Sequence, residues 1–405
     1  MSTDAAAAKL GFDPTRLKRI DDWMQRDVEL RRRYTGSSVL IARHGEIAHF
    51  AATGLASVER GLAYQRDTIV RIYSMTKMIT TVGLMMLVER GLIHLDAPLS
   101  SVLPEFSDCQ ALVVGAKSVD QVEKADSPKL YQLLTHTAGL TYAFNPGVLA
   151  EHYGKIGLRF EPDHRGLDEV CRIVAEQPLA FQPGSSWEYS IGIDVIGRVI
   201  EVIDGRPLDR YLKEEIFDPL GMIDTGFVLP PEKINRFADC YVRTEENPLL
   251  CSDRAETSTY LAQGKTTFSG GGGLISTLDD YFKFGEMVRQ FGKFEDGQLL
   301  GKRIIEFMRR NHLAGDIASM GPSSFAEMPM QGMGFGLGGA VALDPALNRV
   351  PGSAGDYGWG GMASTYFWTD PVEQLTCIFF TQLIPSSSYP NRAELKALVH
   401  AALTD

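Results

Sequence analysis

The strand-like runs of this chain lie at its two ends, and its long middle is helical. Apolar residues between 13 and 33 (Leu17, Ile20, Trp23, Met24, Val28, Leu30) recur at helical spacing. Residues 38–42 and 46–51 then read as two strands joined by a turn at His44-Gly45. Near the other end, 363–368 and 375–381 read as strands, and 393–403 as a terminal helix. From 93 to about 265 helical segments and loops predominate, broken by prolines and glycines, with a polar surface loop over 115–129. A sheet built by such a chain has to pair its beginning with its end. The pattern predicts an α+β fold, with an antiparallel sheet flanked by helices from residues 1–93 and 266–405. A second, mainly helical lobe is expected over 94–265.

The chain enters its most apolar segment through Ile72-Tyr73-Ser74-Met75-Thr76-Lys77. The run after it reads as a mostly buried helix over 74–89, closed by Gly91. Ser74 and Lys77 are three residues apart, so both side chains lie on one helical face, one turn apart. A hydroxyl is a weak nucleophile until a neighbour takes its proton, and an amine one turn away can do so. Burial of Lys77 would favour the neutral amine. The helix N-terminus would place backbone N–H groups near Ser74. The same four letters also fit a helix cap with a solvated lysine.

Composition narrows the choice. Hydrophobic residues make up 44% and charged residues 22%, ordinary for a globular protein with sizeable cores. A net charge of -11 argues against nucleic acid and anionic membrane surfaces as partners. The five cysteines, Cys109, Cys171, Cys240, Cys251 and Cys377, form no CxxC pair, so neither a disulfide framework nor a zinc site is expected. The eight histidines show no metal-ligand spacing, and no metal or other cofactor is implied. The N-terminus has no basic region followed by a long apolar one, and the longest apolar stretch, 78–88, is about half of the ~20 residues a membrane span needs. A soluble, cytoplasmic protein is the expectation.

Two further segments carry chemistry. Pro183-Gly184 turns the chain into Trp187-Glu188-Tyr189-Ser190, ahead of a helix expected to start near Ser190. A tyrosine there could share a proton with Lys77, although packing is the commoner use of such a ring. Gly358-Trp359-Gly360-Gly361-Met362 puts adjacent glycines before a strand, where another group can approach the backbone and an N–H can point at a developing oxyanion. His136 reads as structural. Tyr142 and Phe144 read either as pocket lining or as ordinary packing.

Taken together, Ser74-x-x-Lys77, Tyr189 and Trp359-Gly360-Gly361 resemble the motif set of the family VIII carboxylesterases. These belong to the serine β-lactamase and penicillin-binding protein superfamily and are most like its class C members. The segments from Leu133 through Thr135-His136-Thr137-Ala138-Gly139 to Leu140, and from Gly270 to Thr277, are also similar to this family. The likeness runs from about Asp13 to the terminal helix. It implies a β-lactamase-like sheet and helical lobe with the active site between them. It further implies Ser74 as nucleophile, Lys77 and Tyr189 as its activating pair, and the N–H groups of Ser74 and Met362 as the oxyanion hole. Trp359, Gly360 and Gly361 would line the substrate site where β-lactamases carry Lys-Thr-Gly.

The departures from the pattern bear on substrate. Ile191 stands where class C enzymes have the asparagine of Tyr-x-Asn, Trp359 replaces a lysine, and Gly360 replaces a threonine. Each change removes a polar anchor for an anionic lactam. The resemblance therefore implies a serine carboxylesterase acting on small, short-chain esters as its small-molecule partners. The alternatives are a β-lactamase or an esterase with side activity on cephalosporins, an acyltransferase using the same intermediate, and a non-catalytic ligand-binding protein on this fold. No Gly-x-Ser-x-Gly elbow is present, which argues against an α/β-hydrolase nucleophile.

Overall fold

Asp13 caps helix α1 (Pro14–Gln25), its carboxylate accepting from the N–H groups of Thr15 and Arg16, with Pro14 at the first helical position. Leu17, Ile20, Trp23 and Met24 are buried as their spacing predicts. Leu30 is not. The helix widens into a π turn over Arg26–Leu30, which shifts the register and leaves Leu30 78% exposed. The computed structural model describes residues 3–160, 165–261, 264 and 267–404, so the expected boundary at 265–266 and the first two residues of the chain lie outside the described residues.

The main sheet has eight strands: β1 (Gly36–Arg43), β2 (Glu46–Ser57), β3 (Leu62–Ala63), β4 (Met333–Phe335), β5 (Ala340–Ala342), β6 (Tyr357–Gly360), β7 (Tyr366–Asp370) and β8 (Leu375–Phe380). Their spatial order is β4-β5-β6-β7-β8-β1-β2-β3, antiparallel throughout. The chain's beginning meets its end at the β1–β8 ladder, in register from Ser38 with Phe380 to Arg43 with Leu375. All of β1 is buried, because both faces of the sheet are covered. Val39 and Ile41 point into a core shared with α1, Cys377 and Phe379. Leu40 and Ala42 point the other way, into the large central core.

Three more helices organise the site. Helix α2 (Thr76–Glu89) is buried from Thr76 to Leu87, the behaviour of a segment apolar on every side. It packs against α3 (Gly192–Asp204) on one side. Helix α4 (Leu278–Arg289) starts at Thr277, whose hydroxyl accepts from Asp280 N–H as the cap signal predicts, and lies against β7 and β8. The terminal helix α5 (Asn391–Ala401) covers the α1 side of the sheet.

The structure departs from the sequence reading at particular places. The strand expected at 363 begins at Tyr366, because Ser364 takes φ +64° in the turn after Gly361. The Trp-Gly-Gly glycines therefore end strand β6 rather than precede one. Part of the expected loop at 115–129 is a hairpin arm, Val122–Lys124 paired with Gln110–Leu112. Strands Cys240–Val242 and Leu250–Asp253 join Leu383–Ile384 in a small sheet, so backbone hydrogen bonds cross between the middle of the chain and its C-terminal part. Among the described residues no helix is long and apolar enough to cross a membrane, and all five cysteines are free.

Candidate active site

Ser74 lies in the 3-10 turn Tyr73–Met75 that opens α2. The residue before it, Tyr73, has φ +42°, a strained conformation for an aromatic residue. This bend leaves Ser74 half-buried, while Lys77 is fully buried. Lys77 Nζ donates to Ser74 Oγ at 3.3 Å, to Tyr142 OH at 2.9 Å and to Gly271 O at 2.7 Å. The one-turn spacing read from the sequence is thus a direct contact.

The glycine run 270–273 brings the carbonyl to Lys77. It threads between α2 and α3, with the Thr80 hydroxyl donating to Gly270 O at 2.8 Å. A methyl group on Gly271 would run into the Asp194 carboxylate, so only glycine lets the backbone pass. Asp194, on α3, is 1% exposed. It accepts from Ser269 Oγ at 2.5 Å, from Gly271 N–H at 2.9 Å and from Tyr142 OH at 3.2 Å. Tyr142 therefore joins the lysine to a buried carboxylate.

Tyr189 is brought in from the turn before α3 and is 5% exposed. Its ring faces the lysine, with Lys77 Nζ 4.6 Å from the ring centroid. Its hydroxyl accepts from Trp359 Nε1 at 3.2 Å. The phenol bonded to the lysine is that of Tyr142, and Tyr189 stands beside it, the ring centroids 5.2 Å apart. Asn145 ties the two tyrosine segments together, donating to Tyr189 O at 2.7 Å and to Thr141 Oγ1 at 3.2 Å. His136 is fully buried against the Tyr189 ring, and its Nδ1 takes part in hydrogen bonds with Ser190 Oγ and accepts from Ser190 N–H, a structural position.

The third segment closes the site from the sheet. Trp359 is the third residue of β6 and is 7% exposed. Gly361 follows the strand so closely against the Ile72 carbonyl that a methyl group there would collide with it. This approach sets the Met362 turn beside the Ser74 turn. Among the described residues, neither the Ser74 N–H nor the Met362 N–H donates to a backbone hydrogen bond. Phe325 lines the same wall, 4.8 Å from the Tyr189 ring centroid and stacked on Trp359 at 5.7 Å.

Burial governs the electrostatics. It pushes the Tyr142 phenol well above the usual range, with the Asp194 and Tyr189 groups adding to the effect. It raises the Asp194 carboxyl too, against the lowering influence of Lys77, Ser269, Gly271 N–H and Tyr142. It drives His136 well below the usual imidazole range, helped by the Lys77 charge, so that ring stays neutral. The arrangement offers a partly buried hydroxyl, a buried lysine, two phenols and two N–H groups free of backbone hydrogen bonds among aromatic side chains.

Of the residues named from the sequence, Ser74, Lys77, Tyr189 and Trp359 are joined by direct contacts, Gly361 packs against the Ile72 carbonyl two residues before Ser74, and Gly360 lies against Arg392 instead. Sequence reasoning missed Asp194 and gave Tyr142 no more than a lining role. The available signal was a carboxylate inside the apolar run Gly192-Ile193-Asp194-Val195-Ile196, which had to be buried with a partner.

Fold and site together define a serine hydrolase of the β-lactamase type. The chain belongs to the beta-lactamase family, whose sequence model matches residues 20–401. It is 33% identical to esterase EstB of Burkholderia gladioli over 366 residues, 86% of each chain. It is 29% identical over 394 residues to monacolin J acid methylbutanoyltransferase of Aspergillus terreus, 92% of each. Among solved structures, EstCE1, a hydrolase with promiscuous acyltransferase activity, superposes with a TM-score of 0.78 at 26% identity over the whole of both chains. These findings agree with the family, fold class and enzyme class implied by the motifs.

Proposed function

We propose that this protein is a carboxylesterase that hydrolyses small, short-chain esters through an acyl intermediate on Ser74. The observation that carries the reading is the 3.3 Å contact from a wholly buried Lys77 Nζ to the half-exposed Ser74 Oγ. Lys77 removes the serine proton as Oγ attacks the ester carbonyl carbon. The carbonyl oxygen gathers charge between the N–H groups of Ser74 and Met362. Tyr189, its oxygen held by the Trp359 indole, delivers a proton to the departing alkoxide. Water activated by the same groups then releases the acid. The ester character of the relative from Burkholderia gladioli supports this substrate class. The aromatic walls supplied by Tyr142, Tyr189, Phe325 and Trp359 favour an apolar acyl group. Five free cysteines suit the reducing cytoplasm.

Intact mass spectrometry after brief exposure to an activated short-chain ester tests the reading. The expected result is a single acyl adduct that digestion maps to the peptide carrying Ser74. Its absence in Ser74→Ala, with that variant still folded, completes the assignment. An adduct that persists in Ser74→Ala would move the nucleophile elsewhere.

A further inference from the structure

Lys77 has all three ammonium donors committed, to Ser74 Oγ, Tyr142 OH and Gly271 O. A nitrogen in that state has no lone pair for the serine proton, so one N–H must be given up first. Of the three acceptors, Tyr142 alone is hydrogen-bonded onward to a carboxylate. Its hydroxyl donates at 3.2 Å to Oδ2 of Asp194, whose other oxygen, Oδ1, is held by Ser269 Oγ and Gly271 N–H.

We infer that Asp194 is the proton store of the site, taking through Tyr142 the proton that Lys77 has to lose before it can act on Ser74. The shift balances within the cluster. The Nζ–H bond facing Tyr142 breaks as a new O–H bond forms on Tyr142, and the tyrosine's original O–H breaks as Asp194 Oδ2 takes that proton. An ammonium and a carboxylate become an amine and a carboxylic acid, and no proton enters or leaves. Rotation about the Cε–Nζ bond then turns the freed lone pair from Tyr142 to Ser74 Oγ, where it accepts the serine proton. This inference rests on the reading of Ser74 as the nucleophile.

The surroundings fit a neutral pair. Separated charges are costly in a buried site, and Asp194 is 1% exposed and Lys77 fully buried. Burial raises the Asp194 carboxyl toward the protonated form even against Lys77. The Tyr142 phenol is pushed well above its usual range, so tyrosine passes the proton on rather than keeping a negative charge. The groups facing this pair are few. Lys77 comes from α2, and Tyr142 and Tyr189 come from the loops around it. The Cys171 thiol, on the helix Leu167–Ala175, is held well above its usual range by burial first and feels Asp194 more weakly. On α3 itself Arg198 is engaged with Glu201 at 3.1 Å. Tyr211, from the helix Leu208–Leu212, donates to Gly83 O. His136 faces Lys77 and stays neutral.

The test is the rate of Ser74 labelling by a fluorophosphonate probe between pH 6 and 10, for the parent protein, Asp194→Asn and Tyr142→Phe. With the store in place, the amine forms without losing a proton to water, so the parent rate should be flat with pH. Either variant must shed that proton to solvent and should gain a rising limb, with labelling at pH 6 at least tenfold below its own plateau. The double variant should be no slower than the slower single one. Should Asp194→Asn fail to fold, Tyr142→Phe carries the test, since it keeps the bonds from Ser269 and Gly271 to Asp194. Flat profiles in the folded variants, or rates lowered equally at every pH, would overturn the inference and leave the nucleophile in place. A parent protein that takes no label on Ser74 would overturn the nucleophile reading as well.

Discussion

The Tyr189 hydroxyl accepts from the Trp359 indole and, on the proposed mechanism, protonates the leaving group, and the two roles differ enough in energy to be told apart. Tyr189→Phe keeps the ring among His136, Phe325 and Trp359 but leaves the Trp359 N–H without its acceptor at 3.2 Å. A buried donor stranded in this way costs about 1–3 kcal/mol of stability. Loss of a proton donor to the leaving group should cost roughly 10²- to 10⁴-fold in turnover. The variant should therefore stay folded in urea titrations while its ester hydrolysis falls by that factor, and near-parental turnover would exclude Tyr189 from the proton path. Gly361→Ala probes the proposed oxyanion hole separately. The added methyl would be forced against Ile72 O and Thr365 Oγ1, displacing the Met362 N–H. Steady-state kinetics should show kcat reduced about 10²- to 10³-fold with KM little changed, the mark of a lost oxyanion donor. Residues of this kind differ in how legible they are. Ser74 and Lys77 can be paired because one helical turn joins them, whereas Tyr189 and Trp359 stand out only in combination with them, through the resemblance to the carboxylesterase motif set. Asp194 and Tyr142 become partners only because the loop carrying Tyr142 lies against α3, which no local spacing encodes.

Elements were legible where they are long or capped. The β1–β2 hairpin shows its turn at His44-Gly45, both residues with positive φ, and α4 shows its Thr277 cap. Strands β4 and β5 are three residues each and lie next to glycines, so they exist by pairing, β4 with β5 and β5 with β6, rather than by any pattern of their own. The far end of β6 carries an ionisable cluster that ties α5 to the sheet. Lys396 donates to Asp356 Oδ2 at 2.6 Å, and His400 Nε2 lies 3.9 Å from Asp370 Oδ2. Burial raises the Asp356 carboxyl to about 7 despite Lys396. Burial lowers His400 to about 4, with Lys396 adding and Asp370 opposing. A histidine whose folded pKa lies below its unfolded value binds protons better when unfolded, so it destabilises increasingly as pH falls from about 6.5 to about 4. Asp356 acts in the opposite sense, losing stability as pH rises from about 4 to about 7, and the two offset each other in the parent protein. In His400→Gln the histidine contribution disappears. Urea unfolding from pH 4 to 7 should show the variant close to the parent at pH 7 and gaining on it by up to a few kcal/mol as pH drops. A difference that does not change with pH would mean that His400 titrates normally in the folded protein.

At the scale of the whole molecule, the proposed acyl transfer at Ser74 makes charge the selector of acyl donors. The chain carries a net charge of -11, and two cations beside the site, Lys77 and Arg392, are already engaged. Lys77 is committed to three acceptors, and Arg392 is paired with Glu327 at 3.4 Å while donating to Gly361 O. By the motif resemblance Trp359 stands where a lysine would hold a lactam carboxylate, and its indole N–H is given to Tyr189. An anionic substrate therefore meets long-range repulsion, and neither Lys77 nor Arg392 is left free to anchor its charge. Each missing hydrogen bond to a charged group corresponds to roughly 10- to 100-fold in binding. A chromogenic cephalosporin should accordingly be turned over at least 10-fold less efficiently than nitrophenyl butyrate, measured as kcat/KM. The repulsive part is screened by salt, with a Debye length of about 10 Å at 0.1 M and about 3 Å at 1 M. Raising the ionic strength should then increase kcat/KM for the cephalosporin and leave the neutral ester unaffected. Equal efficiency on both substrates at low salt would mean that some group in the cleft binds the carboxylate, and the ester preference argued from Trp359 would fall.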